Sequence, residues 1–161
     1  MCEYDTIGDM KKKKGLIIGR FQPFHKGHLY LLKKGLEHVD KVIIAVGSVN
    51  ISNDQNPFTF DERKKQIEEA LNKYALSDRV EKIVSSKDDP DDDIWLQTLL
   101  SVTGPFDLAF GNNEWVNGIF EGAGYKVVRI PFYKREIYEG TKIRKIIKKS
   151  SDPQAVIKKF I

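Results

Sequence analysis

The segment spanning residues 19–28 holds the residues best suited to chemistry, among them two histidines three positions apart. His25 and His28 flank Gly27 where a helical pattern of apolar residues begins, so both imidazoles can point to one side of a helix start. Free backbone amides at a helix N-terminus carry positive potential that favours phosphate oxygens. Gly27 leaves room between the rings. The spacing therefore predicts that two imidazole donors converge on one anion.

Other roles for the two histidines remain open at this stage. A single histidine at a helix start is often a structural or capping residue. A histidine pair can also hold zinc, but zinc needs further ligands, and the sequence identifies none. Cys2 is the only cysteine, so neither an internal disulfide nor a cysteine-based zinc cage can form.

The elements that must position these residues alternate along the chain. Short apolar runs predict five strands, at residues 16–18, 42–46, 80–84, 106–110 and 125–130. Apolar positions three and four residues apart predict helices at 27–38, 60–74, 92–102 and 114–121. Thr59 is predicted to cap the second helix. This order predicts an α/β fold, a doubly wound parallel five-stranded sheet with helices on both faces, whose ligands bind beyond the carboxyl ends of the strands.

The bulk composition limits the class of protein. At 161 residues the chain fits one domain, and its 40% hydrophobic and 31% charged residues are typical of a globular protein. We interpret residues 1–14, which end in four lysines, as a flexible polar and basic leader, and residues 15–161 as a single domain. No membrane span or signal pattern is recognisable, which predicts a cytoplasmic location. The net charge of +4 suits an anionic partner, either nucleic acid or a phosphorylated small molecule.

The whole segment reads Gly-Arg-Phe-Gln-Pro-Phe-His-Lys-Gly-His. It resembles the opening of the H-x-G-H nucleotidylyltransferases, and within them the archaeal-type nicotinamide-nucleotide adenylyltransferases. Other branches place a Phe-Asp or similar pair where this chain has Phe21 and Gln22. The resemblance extends over about residues 15–149. It implies a Rossmann-like adenylyltransferase fold and transfer of the adenylyl group of ATP, with Mg2+, to the 5′-phosphate of nicotinamide mononucleotide (NMN) or nicotinate mononucleotide. It also implies a homo-oligomer.

Residues 138–144 resemble the second signature of that family, Ser-Gly-Thr-x-Ile-Arg, in which a helix start and an arginine hold the departing phosphates. Glu139 stands where the family has serine. Because a carboxylate beside a triphosphate is repulsive, Glu139 either turns away from the nucleotide or helps to hold magnesium. Without the resemblance, the basic residues of this segment, Arg144 included, would be the solvated face of a helix.

An acidic loop at residues 88–93 precedes Trp95. The resemblance implies that Trp95 stacks on the nicotinamide ring, although the spacing of its apolar neighbours is equally typical of a tryptophan in the core. Asp92 stands where the family usually has asparagine.

The resemblance thus implies a full set of site residues. Residues expected to bind ATP are Gly19, Arg20, Phe21, Gln22, His25, Gly27, His28, Gly111, Thr141 and Arg144. Of these, His25, His28, Arg20 and Arg144 are expected to act in catalysis, and residues expected to bind the acceptor are Gln22, Ser48, Asp92 and Trp95. Metal ligands cannot be assigned. The alternatives are an adenylyl- or cytidylyltransferase with another phosphorylated acceptor, and a non-catalytic module that binds nucleotides or nucleic acid.

Overall fold

The computed structural model describes residues 12–161, and its centre is one parallel sheet. The five strands are β1 (Lys14–Gly19), β2 (Lys41–Val46), β3 (Val80–Ser85), β4 (Leu108–Gly111) and β5 (Lys126–Arg129). Their order in the sheet is β3-β2-β1-β4-β5, and every neighbouring pair is parallel. The predicted five-stranded parallel sheet is confirmed.

Six α-helices accompany the strands. They are α1 (Lys26–Gly35), α2 (Phe60–Lys73), α3 (Asp92–Thr103), α4 (Glu114–Gly122), α5 (Gly140–Lys149) and α6 (Pro153–Phe160). Alternating residues of β1 enter two separate cores: Ile17 packs on the face that also buries Ile67 of α2, and Leu16 packs on the face that buries Leu99 of α3. Helices therefore cover both faces of the sheet, as predicted.

Side chains that satisfy orphan amides fix several helix starts. Thr59 accepts a hydrogen bond from the Glu62 amide, and the Glu62 carboxylate accepts one from the Thr59 amide, each at 3.1 Å. This confirms the predicted cap. Asp91 caps α3 and Asn113 caps α4 in a similar way.

The direction in which the chain adds strands to the sheet reverses at β1, in the centre of the sheet. The chain passes from β1 to β2 on one side of the sheet, whereas β4 pairs with the opposite edge of β1. In a doubly wound sheet this switch point leaves a crevice beyond the carboxyl ends of the strands. The segments that follow β1, β2 and β4 therefore meet there.

Most of the predicted leader, residues 1–11, lies outside the described residues. Lys14, its last residue, is the first residue of β1; its amide donates to Asp107 Oδ2 at 2.8 Å, and its Nζ lies 2.7 Å from Glu81 Oε1. β4 begins at Leu108, two residues later than expected, and Asp107 occupies the turn before it. Within residues 12–161 no helix is long and apolar enough to cross a bilayer.

Candidate active site

A cavity of about 410 Å³ opens at the carboxyl end of the sheet. It is lined by all but two of the residues expected to bind ATP or the acceptor, namely Gly19, Arg20, Phe21, Gln22, His25, Gly27, His28, Ser48, Trp95, Gly111 and Arg144. The exceptions are Thr141 and Asp92. The structure thus brings residues of both signature segments and three of the four expected acceptor residues to one cavity.

The two histidines of α1 cap their own helix. The Gly27 amide donates to His25 Nδ1 at 3.0 Å, and the His25 amide donates to His28 Nδ1 at 3.2 Å. The imidazole rings stack with their centroids 3.8 Å apart. Since each Nδ1 accepts a hydrogen bond, each neutral ring must carry its proton on Nε2. The helix start therefore fixes the tautomer and leaves two Nε2–H donors.

Burial keeps both rings neutral. It lowers the pKa of His25 to about 4, and His25 is only 6% exposed. Burial also lowers the pKa of His28 well below its usual value, and the adjacent His25 lowers it further. A neutral imidazole that carries its proton on Nε2 can still donate a hydrogen bond. The pair therefore acts as neutral donors at physiological pH.

Glycine is required between the two histidines for a steric reason. A Cβ at Gly27 would lie 2.8 Å from His25 Cε1 and 2.9 Å from His25 Nδ1, closer than carbon atoms pack. Gly140 at the start of α5 is similar, because its Cβ would lie 2.8 Å from Arg144 Nη1. Each signature glycine thus makes room for a polar side chain of the cavity.

Two guanidinium groups supply positive charge. Arg144 donates through Nη1 to the Gln22 carbonyl at 2.9 Å and through Nη2 to Thr141 Oγ1 at 3.2 Å. Burial lowers the pKa of Arg144, and the neighbouring charge of Arg20 lowers it further. Within residues 12–161, neither arginine forms an ion pair with a carboxylate. The charge of Glu139 acts in the opposite direction on the pKa of Arg144. Two cations without an ion-pair partner in one cavity favour a multiply charged anion.

The N-terminus of α5 is open, unlike that of α1. Glu139 is the N-cap residue, yet its side chain makes no capping hydrogen bond. Its Oε2 lies 3.8 Å from Lys142 Nζ, while the residue still lines the cavity beside Gly140. Thr141 lies outside the lining and instead accepts the hydrogen bond from Arg144. The first amides of α5 therefore remain available to an anion.

The other side of the cavity is formed by the segments after β2 and β3. Ser48, which is 4% exposed, donates from Oγ to Asp88 Oδ2 at 2.8 Å. Asn50 binds both backbone groups of Asp88, at 2.9 and 3.2 Å. Asp88 lines the cavity, whereas Asp92 lies in the first turn of α3, away from it. The acidic loop thus presents a different aspartate from the one that the sequence indicated.

The position of Trp95 combines its two interpretations. It is 5% exposed and packs in the core against Phe120, with ring centroids 6.1 Å apart, while also lining the cavity. Trp115 of α4 lines the same cavity, is 59% exposed, and lies 6.4 Å from Trp95 between ring centroids. Sequence reasoning missed Trp115 because its apolar spacing indicated only an amphipathic helix.

A doubly wound parallel sheet with a cavity at its switch point, lined by arginines without ion-pair partners, is typical of nucleotide-binding α/β proteins. This chain belongs to the cytidylyltransferase-like family, whose sequence model matches residues 16–146.

Named relatives lie close in sequence and in structure. The chain is 40% identical over 140 residues to a nicotinamide-nucleotide adenylyltransferase of Methanococcus aeolicus, covering 86% of this chain and 80% of the relative. It is 41% identical over 135 residues to that of Saccharolobus solfataricus, covering 83% and 78%. The crystal structure of a bifunctional NMN adenylyltransferase/ADP ribose pyrophosphatase from Francisella tularensis, complexed with AMP and a manganese ion, superposes with a TM-score of 0.72 at 27% identity. That match covers 93% of this chain and 49% of the bifunctional protein.

Proposed function

We propose that this protein is a nicotinamide-nucleotide adenylyltransferase, which transfers the adenylyl group of ATP to NMN and releases NAD and pyrophosphate. The observation that carries the proposal is the stacked histidine pair, which presents two Nε2–H donors next to two arginines without carboxylate partners. The names of relatives that are 40% and 41% identical over most of this chain support the same reaction.

The reaction needs no nucleophilic side chain. An oxygen of the NMN 5′-phosphate attacks the α-phosphorus of ATP and forms the new phosphoanhydride bond. The bond from the α-phosphorus to the oxygen that bridges to the β-phosphorus breaks, and pyrophosphate leaves with that electron pair. The protein therefore has to align the two phosphates and stabilise the negative charge that moves onto the departing oxygens.

The donor half of the site, defined as residues 19–28 with Arg144 and the start of α5, matches the triphosphate. His25 and His28 donate through Nε2 to the α- and β-phosphates, while Arg20 and Arg144 neutralise the remaining charge. Gly19, Gly27 and Gly111 allow the backbone to approach the nucleotide. Neutral donors suit this role because they stabilise an oxyanion without exchanging a proton with it.

The acceptor half of the site, defined as Ser48, Asp88, Trp95 and Trp115, matches a mononucleotide. The exposed face of Trp115 and the edge of Trp95 provide an aromatic surface for the nicotinamide ring. Asp88, held by Ser48 and Asn50, can accept hydrogen bonds from a carboxamide or from ribose hydroxyls. A carboxylate here repels the acid group of nicotinate mononucleotide, so we favour NMN as the acceptor.

Magnesium is part of the proposal, because it offsets charge on the departing pyrophosphate. Within residues 12–161, no cluster of three or more His, Cys, Asp or Glu side chains could hold a metal ion. Mg2+ does not require such a cluster, because it commonly binds through substrate phosphates, water and one or two carboxylates. We propose Glu139, which lines the cavity at the start of α5, as its carboxylate ligand.

A pyrophosphate-release assay with Mg2+ tests the reaction and its substrates together. ATP and CTP would each be offered with NMN, nicotinate mononucleotide and pantetheine phosphate. We expect release with ATP and NMN, and NAD identified by mass spectrometry. Turnover confined to CTP or to pantetheine phosphate would assign the protein to another branch. Salt-sensitive binding of RNA without any turnover would point to a non-catalytic module.

Two further expectations accompany the proposal. The resemblance implies a homo-oligomer, which sedimentation velocity at several protein concentrations would test. Small phosphorylated substrates are consistent with a cytoplasmic enzyme, and fractionation of the native host cells would test this.

A further inference from the structure

Arg63 is the largest of the side chains that are less than 2% exposed, and it carries a charge. It lies on α2 and is 1% exposed. Among residues 12–161, no carboxylate lies within ion-pairing distance of its guanidinium group. Burying an unpaired charge is costly unless polar groups replace the lost water. The hydrogen-bond partners of Arg63 must therefore explain why it is there.

Backbone carbonyl groups are those partners. Arg63 donates through Nη1 to the carbonyl oxygens of Arg20 and Gly47, at 2.8 and 2.7 Å, and through Nε to that of Thr59 at 3.2 Å. Arg20 follows β1, and Gly47 follows β2; both residues line the cavity. The bond to the carbonyl of Thr59, the N-cap residue of α2, anchors the guanidinium group to its own helix. Arg63 thus ties the ends of two neighbouring strands to a rigid element.

The residue after each of these two held carbonyls adopts an unfavourable backbone conformation. Phe21 follows Arg20 with φ of 52°, and Ser48 follows Gly47 with φ of 56°. Residues with a side chain rarely adopt this left-handed region, which persists only where the surrounding structure imposes it. Arg63 is the one side chain in the described residues that bonds to the carbonyl preceding each turn.

The two turns serve opposite halves of the site. The ring of Phe21 packs edge-on against His28, with centroids 4.8 Å apart, in the donor half. Ser48 fixes Asp88 through its Oγ in the acceptor half. A shift of either turn would therefore move groups that contact one substrate, and a shift of both would change the distance between the two phosphates.

We propose that Arg63 is a positioning residue that holds both left-handed strand-end turns through their carbonyl oxygens and so sets the alignment of the two substrates. The role in alignment rests on the proposed function; the role in holding the turns does not. Lysine can reproduce it only in part, because an ammonium group can replace Nη1 but lacks the Nε donor that anchors the group to the Thr59 carbonyl.

The chain contains a matched control in Arg79. It also donates to three carbonyl oxygens, those of Leu36, Val39 and Asp40, at 2.8–3.1 Å. These groups precede β2 at the amino end of the sheet, away from the cavity. Loss of Arg79 removes an arginine that bridges carbonyl groups without touching either turn.

The experiment compares Arg63→Lys and Arg63→Met with Arg79→Lys and Arg79→Met. Hydrogen–deuterium exchange, followed by mass spectrometry, reports on residues 19–28 and 46–50 without requiring activity. Steady-state kinetics, normalised to the folded fraction measured by circular dichroism, reports on alignment. We expect faster exchange in both segments for the Arg63 variants alone. We also expect kcat/KM to fall about 100-fold for Arg63→Met and about tenfold for Arg63→Lys, since misplacement by about 1 Å has effects of this order.

Each outcome decides the proposal. If Arg63→Met does not fold, Arg63→Lys carries the test. A lower melting temperature with unchanged exchange in both segments and unchanged kinetics per folded molecule would assign Arg63 a purely structural role. An inactive wild-type protein would refute the proposed function, whereas faster exchange confined to the Arg63 variants would still support the role of Arg63 in holding the two turns. Slower turnover in the Arg63 variants with unchanged exchange in both segments would overturn it.

Discussion

The donor half of the active site is built largely from neighbours in the sequence, whereas the acceptor half is assembled from three distant segments. One helix start contains His25, Gly27 and His28, which are joined by hydrogen bonds between residues two and three positions apart in the sequence. Ser48, Asp88 and Trp115 follow β2, β3 and β4, and they meet because the carboxyl ends of all the parallel strands lie at one edge of the sheet. In the proposed function, the groups that bind the triphosphate thus come mainly from a local motif, and the groups that select the acceptor come from tertiary contacts.

The largest effect should come from the donor half. In His28→Asn, the asparagine oxygen can still accept a hydrogen bond from the His25 amide, but the Nε2 donor is lost. We expect kcat to fall about 100- to 1,000-fold with every acceptor, which is typical of removing one donor to a developing charge. His38→Asn, an exposed histidine beyond the end of α1, is the control for steady-state kinetics. Equal turnover in the two folded variants would contradict the assigned role.

Stability at acid pH should distinguish the local histidine motif from the rest of the molecule. Because burial lowers the pKa of His25 to about 4, the unfolded chain takes up this proton first as the pH falls below about 6.5. Stability from His25 is therefore complete above about pH 6.5 and declines as the pH falls to about 4, by on the order of 3 kcal/mol.

Urea unfolding of wild type and His25→Asn between pH 7 and 4 measures this contribution. Asparagine keeps a good N-cap but does not titrate. We expect the variant to lose less stability over this range than the wild type. Parallel curves for the two proteins would show that His25 is not held neutral by burial.

Gly27→Ala should disturb the donor half less than removal of a histidine. The new Cβ would collide with the His25 ring, which must rotate away from its stacked position. We expect a loss of about 10- to 100-fold in kcat/KM, consistent with a small displacement of a catalytic group. Gly118→Ala on α4, where nothing lies within 4 Å of the added methyl group, should keep full activity. Steady-state kinetics on both variants checks the difference.

The smallest expected effect concerns the choice of acceptor. Asp88→Asn removes a charge that faces the cavity, and Asp92→Asn removes the same charge at the neighbouring position that the sequence indicated. We expect Asp88→Asn alone to raise kcat/KM for nicotinate mononucleotide relative to NMN, by about fivefold, because a repulsion of about 1 kcal/mol is relieved. A larger change in Asp92→Asn would restore the sequence-based assignment.

Much of the fold could be predicted because its signals are local. Five apolar runs and intervening helical patterns gave the parallel sheet, and Thr59 with Glu62 gave the start of α2. The strand that contains Phe110 begins at Leu108 rather than residue 106, since Asp107 there binds the amide of Lys14, far away in sequence. Strand limits of this kind depend on partners that periodicity does not reveal.

The site residues divide in the same way. Thr141, expected from the second signature, holds Arg144 rather than lining the cavity, and in the acidic loop Asp88 lines the cavity where Asp92 was expected. Neither Trp115 nor the contacts of Arg63 had a signal of their own. A helical pattern alone predicts a buried tryptophan and an exposed arginine. Trp115 is exposed and Arg63 is buried because of the elements that surround them.

By itself, the sequence determined the order of the five strands and of four of the six helices, the helix start that follows β1 and the pairing of two histidines around a glycine. These depend on backbone geometry over a few residues, which side-chain type and spacing control directly. Only the tertiary structure decided which aspartate faces the cavity, which tryptophan is exposed, and which carbonyl groups a buried arginine holds. Those choices follow from how parallel strands bring distant loops to one edge, and burial and hydrogen bonding there depend on neighbours that are remote in sequence.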